Sequence, residues 1–578
     1  MNTAGHQLTV RSLVAGGVLA VVLCAVNTYL TLRFGIIEEG AMIAAIFFYT
    51  ALYFSALLGR GLAGARWLKV GPATAAEMVM VSTMGSAGGS LGFIANFFAA
   101  KAMTSEPYTI AEMMLFAAVS GTIGVLSVIV FRYLLIVKDE ELPVDRQLPW
   151  VGAKVVKGVI DPLIGRGDSR QPRYLVALTA AAALYVVFND SGVGWFPESL
   201  QIAVPGIGGL AVSVLLAPFA IGTSYIMGMR TVVGFVCGGT TLLVISRFLP
   251  ETMRATPQMY LWPGVMFLVS SGLAALALRW RVIAAALSSV VRLRGGSGGD
   301  DDPIMGRGAT LAVMVTGGVL AVAVLTTVFA VPLLITVVMI VVGGGLLNLI
   351  ATRAYAQTAF NPVRVMGVLL QGISAALGGA SVGTNLTGSG FIAGSGTQCT
   401  TLASDMYYGR QFQVPSRWQF WAQTVTVLSC AVVSALTFDF INRTTPLSFD
   451  SNALAAPAAK MWAVIGMLFD PASNQQLPPF AVESMWIAGA VGVAWALLEN
   501  SERLRRFVPG SIGFGMGLVI HPSISLAFFA GGLVMWYALR RLLRLPDATL
   551  STIAIASIVG EGIGGLTQGV LKAVGVIG

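Results

Sequence analysis

The stretch that decides the fold is GGASVGTNLTGSGFIAGSGTQCTTLASDMYYGRQFQVPSRWQFWAQ, residues 378–423. Seven glycines lie from Gly378 to Gly396, interleaved with serine, threonine, asparagine and glutamine. Glycine allows two backbones to approach closely and allows a helix to break. Because backbone without hydrogen-bond partners is not tolerated against hydrocarbon, such a stretch must be buried in protein or line a wet cavity. We therefore expect broken or re-entrant helices near the centre of the molecule.

The rest of the chain has the composition of a membrane protein. Its 578 residues are 56% hydrophobic and 11% charged, whereas a soluble domain carries roughly 25% charged residues. Apolar runs long enough to span a bilayer recur about sixteen times along the chain. The sequence therefore predicts an all-α polytopic membrane protein with about 16 transmembrane helices embedded in lipid.

A Gly- and Ser-rich segment divides the chain into two membrane halves. The segment LRGGSGGDDDPIMGRG, residues 293–308, is charged and has no apolar period. These features are typical of a linker. We expect residues 1–292 to form an N-terminal half and residues 309–578 a C-terminal half, with about eight helices each.

The two halves share a short pattern of proline and glycine. AVPGIGGLAVSVLLAPF in the first half resembles FVPGSIGFGMGLVIHPS in the second, and Pro205 and Pro218 match Pro509 and Pro522 at one constant offset. We interpret the pattern as an internal duplication, which is common in secondary transporters. Chance recurrence of proline and glycine in apolar helices is the alternative.

Basic residues favour one side of the membrane. Lysine and arginine crowd the loops after the second, fourth and eighth apolar runs, whereas the short loop Asn189–Ser199 has none. The positive-inside rule places the basic loops, the linker and the N-terminus in the cytoplasm. The net charge of +9 therefore indicates membrane orientation and not nucleic-acid binding. Short loops and an Ala-, Gly- and Arg-rich make-up favour a bacterial inner membrane.

Motifs for catalysis and metal binding are missing from the sequence. The four cysteines show no CxxC spacing, and the chain has two histidines. HExxH and Walker motifs are absent. We expect no enzymatic activity, no cofactor and no metal site.

One segment resembles a signature of the oligopeptide transporter superfamily. It is SDMYYGRQFQVPSRWQFWAQ, residues 404–423, and the matching positions are Asp405, Gly409, Pro415, Arg417, Phe420 and Gln423. The family usually has lysine two residues after the aspartate, where this chain has Tyr407. Any role of that lysine cannot be carried over to this protein.

Three further segments resemble motifs of the same family, in the family's order. They are EMVMVSTMGSAGGS at 77–90, ATRAYAQTAFNPVRVMG at 351–367 and VGEGIGGLTQG at 559–569. In the first of them, Met78, Val79 and Ser82 replace two asparagines and a glutamine. The segment 77–90 is therefore less polar than the family motif, which weakens the expectation of a strictly peptide-like substrate.

The resemblance implies a secondary active transporter that works by alternating access. Its expected partners are protons and small peptides, peptide-like conjugates or metal chelates, and a homodimer is plausible by the same resemblance. A gated channel or a facilitator for small polar solutes, without proton coupling, is the alternative.

Six residues are candidates for binding the substrate: Glu77, Thr83, Ser86, Asn385, Gln398 and Asp405. Half-helix N-termini within residues 378–405 would present backbone N–H groups to a substrate carboxylate. For Glu77 the alternative is an interfacial anchor. For Asp405 it is a helix N-cap or an ion pair with a nearby arginine.

Two residues are candidates for proton coupling. Glu561 lies between Gly560 and Gly562 in an apolar run, and an ionisable residue inside a membrane usually faces a partner or water. A structural hydrogen bond to a neighbouring backbone is its alternative role. His521 precedes Pro522 and would serve as a pH-responsive gate, or would be a neutral histidine bonded to a backbone carbonyl.

Overall fold

The computed structural model describes residues 8–577 with gaps at 35–39, 62–70, 105–106, 141–146, 149, 167–170, 190–192, 204–210, 249–257, 279–301, 359–360, 362, 380, 450–453, 455, 471–479, 502 and 521. Within these residues the chain is helical almost throughout, with one small sheet. The predicted all-α membrane architecture is thus confirmed apart from that sheet.

The first half begins with eight helices. They are α1 (Val10–Phe34), α2 (Gly40–Gly61), α3 (Ala75–Leu91), α4 (Ala95–Thr104), α5 (Ile110–Arg132), α6 (Lys138–Glu140), α7 (Val151–Arg166) and α8 (Gln171–Phe188). A short 3-10 segment, Gly92–Ile94, joins α3 to α4, and the π-helical segment Tyr133–Val137 joins α5 to α6. After the sheet follow α9 (Pro218–Met227), α10 (Met229–Phe248) and α11 (Gln258–Leu278).

In its described residues, the second half contains helices and no strand. Its helices are α12 (Arg307–Thr327), α13 (Leu333–Val338), α14 (Asn348–Thr358), α15 (Val363–Ala376), α16 (Val382–Gln411), α17 (Ser416–Thr444), α18 (Pro457–Leu468), α19 (Ala481–Asn500), α20 (Ser511–Val519), α21 (Pro522–Gly532) and α22 (Asp547–Ala573). The π-helical segments Met339–Leu347 and Leu533–Leu542 extend α13 and α21.

The sheet consists of two antiparallel strands, β1 (Ser199–Ala203) and β2 (Ala211–Leu215). Ser199 pairs with Leu215, and Ala203 pairs with Ala211. In the described part of the apolar run 200–227, which reads as a single membrane span, two strands are followed by the short helix α9. A short apolar run does not distinguish a strand from a buried helix by periodicity alone.

Several helices have the length and hydropathy of membrane spans. Nine of those in the described residues are long and apolar enough to cross a membrane, or ten if α9 and α10 count together. The chain bends by 120° between α9 and α10, at Gly228, whose φ of 79° favours glycine. This bend is that of a broken span or of a re-entrant loop, and the predicted total of about sixteen helices stays a prediction.

The helix at the centre of the bundle, α16, is also one of its most polar. It is buried over nearly its whole length, and α3, α5, α14 and α15 pack around it. Gly390 faces the rings of Phe116 and Phe97, and a Cβ there would lie 2.8 Å and 3.0 Å from their carbon atoms. Glycine thus permits the neighbouring helices to approach closely, and this close approach excludes lipid from the polar side chains of α16.

The proposed duplication finds partial correspondence in local structure. The matched prolines Pro218 and Pro522 each begin a helix, α9 and α21, and these two helices pack against each other. Upstream, β2 is a strand whereas the matching residues 515–519 belong to α20. The duplication and the boundaries of the two halves therefore stay predictions.

Candidate functional site

The glycine-rich stretch forms one continuous helix, α16, where the sequence suggests half-helices. Ser381 caps its N-terminus, since its hydroxyl accepts a hydrogen bond from the backbone N–H of Thr384 at 3.2 Å. Asp405 lies in the last two turns of the helix, which ends at Gln411. The expectations of half-helix N-termini within residues 378–405, and of Asp405 as an N-cap, are therefore wrong.

Helices α3, α16 and α17 meet in a buried layer of polar side chains, here called the polar seam. Its members are Thr83, Ser90, Gln398, Gln419 and Gln423. The side-chain Nε2 of Gln398 donates to the carbonyl of Ala87 and to the Ser90 hydroxyl, both at 2.9 Å. Gln398 thus ties α16 to α3 at the middle of the seam.

Two glutamines of α17 complete the seam. Gln423 donates its Nε2 to the side-chain oxygen of Gln398 at 2.7 Å and to the Gln398 carbonyl at 3.1 Å. Gln419 donates to the Thr83 hydroxyl at 3.0 Å and to the Asp405 carbonyl at 2.8 Å. Four residues separate the two glutamines, so they lie on one face of α17.

The seam contains acceptor oxygens that lack hydrogen-bond donors. In the described part of the chain, the Oε1 atoms of Gln419 and Gln423 have no hydrogen-bond partner. Each Nε2 points at a backbone carbonyl, which can only accept, so the orientation of both amides is fixed by their surroundings. A buried acceptor without a donor reduces stability by about 1–3 kcal/mol. The seam is therefore suited to bind a molecule that supplies N–H or O–H donors.

Asp405 lies at one end of the seam, within a second group of polar side chains. It is 2% exposed, and the Tyr408 hydroxyl is placed among Asp405, Ser82 and Thr83. Asp405 and Thr83, two of the candidate substrate-binding residues, are thus brought together, with Gln398 about two helical turns further along α16. Tyr408 and Ser82 join them without having been expected.

Asn385 lies far from the seam, at the other end of α16. Twenty residues separate it from Asp405, which is about 30 Å along a helix. Its side-chain nitrogen donates to the Gly466 carbonyl at 3.3 Å, while its Oδ1 has no partner among the described residues. The Oε1 of buried Gln371 is in the same situation. Partnerless acceptors therefore occur near both ends of α16.

Glu77 is held at the start of α3 by a dense set of partners. Its carboxylate accepts two hydrogen bonds from Arg11, both at 2.5 Å, and one from Thr9 at 2.6 Å. It also closes a capping box with Thr74. These contacts favour the anchoring alternative over substrate binding. Ser86, a candidate one helical turn beyond Thr83, lies with its backbone against Gly40 at the start of α2.

Glu561 lies in α22, where α1, α8 and α9 pack against it. It is 1% exposed, and its carboxylate accepts a hydrogen bond from the backbone N–H of Phe219, at the start of α9. Arg33, near the end of α1, acts on it electrostatically. Its Oε2 has no hydrogen-bond partner among the described residues. Glu561 is therefore a buried acid with an incomplete set of partners.

Helix α1 contacts both the polar seam and the surroundings of Glu561. The Asn27 side chain donates to the Gly89 carbonyl of α3 at 2.9 Å. One residue earlier, Val26 packs against Gly562 of α22. A movement of α1 would therefore reach both the seam and the surroundings of Glu561.

Comparison with known proteins decides the family. A model of the OPT oligopeptide transporter protein family matches residues 7–289 and 305–572. The chain belongs to the OPT family. A Saccharomyces cerevisiae protein with the provisional name oligopeptide transporter is 26% identical over 228 residues, which are 38% of this chain. The match spans 31% of the length of that relative.

The OPT signature at residues 404–423 spans the junction between α16 and α17. Tyr407, at the position where the family usually has lysine, stacks on Trp150 at the start of α7, with ring centroids 5.2 Å apart. An aromatic contact between helices thus occupies the place of a basic side chain, and no cationic role is transferred to it.

Sequence reasoning missed several members of the site. Gln419 is one of them, and the signal that would have found it is the spacing of two glutamines, four residues apart, in an apolar helix. Arg33 was missed because a basic residue at the end of an apolar run usually anchors the helix at the interface. His521 lies outside the described residues. Among the described residues, no cluster of three metal-ligating side chains occurs.

Proposed function

We propose that this OPT family member is a secondary active transporter that carries small peptides or peptide-like substrates, including metal chelates, by proton-coupled symport. The observation that carries the proposal is the polar seam, a buried polar layer inside an otherwise apolar bundle. Family membership supports transport rather than catalysis.

The seam supports alternating access. Its helices pack tightly, and within the described residues the Oε1 atoms of Gln419 and Gln423 lack donors in this arrangement. Separation of α3 from α16 and α17 would hydrate these oxygens or present them to a substrate, which offsets the cost of opening. Peptide N–H groups and ammonium groups are the donors that such acceptors bind. The substrate path therefore runs along the seam in this proposal.

Glu561 is proposed as the proton-binding carboxylate. A buried acid near an arginine, with one oxygen unpartnered, exchanges its proton at a modest structural cost. Because α1 contacts both places, protonation of Glu561 would be transmitted to the seam through this helix. His521, which was predicted as a pH-responsive gate, remains a secondary candidate.

We also propose that the N-terminus faces the cytoplasm of a bacterial cell, with the bundle in the inner membrane. The start of α1 lies beside the start of α3, through the Arg11–Glu77 pair. Arg132, at the end of α5, donates to Ser416 at the start of α17. Arginines therefore gather at this end of the bundle, as the positive-inside rule expects for the cytoplasmic side.

The substrate and its coupling are tested in two steps. A thermal-shift screen of the purified protein against di- to tetrapeptides, glutathione-like conjugates and metal chelates identifies a ligand. Uptake of that ligand into proteoliposomes is then measured with and without an imposed proton gradient. We expect accumulation that requires the gradient; equal uptake in both conditions would support the facilitator and end the symport proposal.

The role of Glu561 is tested by Glu561→Gln. We expect this variant to lose gradient-driven accumulation and to retain substrate exchange across the membrane, since the seam is intact. Glu483→Gln, an exposed glutamate in the first turn of α19, is the matched control and should transport like the unaltered protein. Full gradient-driven uptake by Glu561→Gln would remove this residue from the mechanism.

A further inference from the structure

Arg33 joins two parts of the molecule at the end of α1. Its Nη1 donates to the Tyr29 hydroxyl, and its Nη2 donates to the Glu198 carboxylate, both at 2.6 Å. Glu198 immediately precedes β1 and is 26% exposed, whereas Arg33 is 14% exposed. The guanidinium therefore lies between the interior of the bundle and a carboxylate that reaches water.

Small residues bring Glu561 to the same guanidinium. Gly562 packs against Val26, and Gly565 packs against the ring of Tyr29, so α22 lies close to α1 at Tyr29, the hydrogen-bond partner of Arg33. Arg33 acts electrostatically on Glu561 from this position. One arginine thus faces two carboxylates, one buried and one near the surface.

Apart from Arg33 and Glu198, no charged side chain among the described residues acts on Glu561. Helix α8 presents Thr179 and Ala182 to the adjacent Gly560. Helix α9 supplies the backbone N–H of Phe219. The charges that act together at this place in the described residues are those of Arg33, Glu198 and Glu561, and they total −1 when both acids are ionised.

We propose that Arg33 is a movable counter-charge that is shared by Glu561 and Glu198, and that protonation of Glu561 transfers its interaction to Glu198. The inference rests on the proposed role of Glu561 as the proton-binding residue. A proton from water joins the Glu561 carboxylate, Arg33 stays a cation, and the net charge of the three groups rises from −1 to zero. Arg33 is thus a positioning residue that links proton binding to the segment before β1.

A double-mutant cycle tests the pair without any transport measurement. Arg33→Gln leaves the Glu561 carboxylate buried without its counter-charge, so we expect a clear fall in the melting temperature. Adding Glu561→Gln to that variant removes the second charge and should restore most of the loss. The restoration should be larger at pH 8 than at pH 5, because the interaction needs an ionised Glu561. A double variant no more stable than Arg33→Gln at either pH would overturn the pairing.

A pH profile tests the sharing, since a purely structural role would change the amount of uptake and not its midpoint. In Glu198→Gln, the carboxylate that competes with Glu561 for Arg33 is removed, so the ionised form of Glu561 is favoured. The pH of half-maximal uptake should therefore fall by about half a unit to one unit. Glu198→Asp keeps the charge and is the conservative control, with a midpoint near that of the unaltered protein.

The outcomes separate this inference from the proposed function. An unchanged midpoint in Glu198→Gln would overturn the sharing of Arg33, even if transport is proton-coupled. If the unaltered protein takes up substrate equally with and without a proton gradient, the proposed function is overturned. In that case the stability cycle at the two pH values still decides whether Arg33 and Glu561 form a pair that depends on ionisation.

Discussion

The buried carboxylates of Glu77 and Glu561 differ in how completely they are hydrogen-bonded. Glu77 satisfies its carboxylate with Arg11, Thr9 and the backbone of Thr74. Glu561 receives the backbone N–H of Phe219 and leaves an oxygen without a partner among the described residues. A fully bonded carboxylate fixes structure, whereas an incompletely bonded one is available for chemistry.

Glu77→Gln is therefore expected to reduce stability without affecting the substrate. Loss of the charged hydrogen bonds from Arg11 should lower the free energy of unfolding by about 1–3 kcal/mol. The KM of uptake should stay within about twofold, since the seam is unaltered. Thermal unfolding and uptake kinetics measure the two quantities.

The control is Glu112→Gln, at the start of α5. Glu112 closes an equivalent capping box with Thr109, and glutamine also serves in capping boxes, so the loss there should be a few tenths of a kcal/mol. A large rise in KM with unchanged stability in Glu77→Gln would instead place Glu77 in the substrate path.

The sequence identified some of these residues and not others. Gln398 and Asp405 were selected as candidates because polar groups inside a membrane segment usually face a partner or water. Gln419 and Arg33 were missed because their partners come from distant parts of the chain. Pairings between helices far apart in sequence have no local signal, and an interfacial basic residue looks the same whether or not a buried acid faces it.

At the scale of elements, α16 is where sequence reasoning both succeeded and failed. Its glycines correctly indicated close approach of backbones and burial. They also suggested a broken helix, which was wrong because packing on all sides stabilises a continuous helix that glycine alone would weaken. The break in the chain occurs at Gly228, between α9 and α10, where one positive φ turns the chain.

The approach of α16 to α17 depends on Gly409. A Cβ at this position would lie 2.8 Å from the side-chain carbon and nitrogen of Gln419. Gly409→Ala should therefore lower the free energy of unfolding by about 1–3 kcal/mol through overpacking, as measured by thermal unfolding. Gly383→Ala, where the nearest atom is Lys101 Nζ at 3.8 Å, is the control and should be neutral or stabilising. Equal effects of the two substitutions would contradict the close packing.

At the scale of the whole molecule, membrane class and helical architecture followed from composition, while the path and the coupling depend on tertiary contacts. Helix α1 links the polar seam to Glu561, and β1 lies next to Glu198, the second partner of Arg33. In the proposed carrier, the polar seam and the surroundings of Glu561 both contact α1 and would therefore change together.

The central claim is that the seam between α3 and α17 must open for transport. We replace the native cysteines and introduce the pair Thr83→Cys and Gln419→Cys, whose native side chains meet at 3.0 Å. A short bifunctional thiol reagent with a reducible link then joins the two helices. The control pair, Lys157→Cys and Asp161→Cys, lies within the single helix α7 and cannot tie two helices together.

The measurement is substrate uptake into proteoliposomes before cross-linking, after cross-linking and after reduction. We predict that the seam pair loses uptake on cross-linking and recovers it on reduction, while the control pair transports throughout. Undiminished uptake by the fully cross-linked seam pair would contradict the account, because the substrate would then pass without separation of α3 from α17.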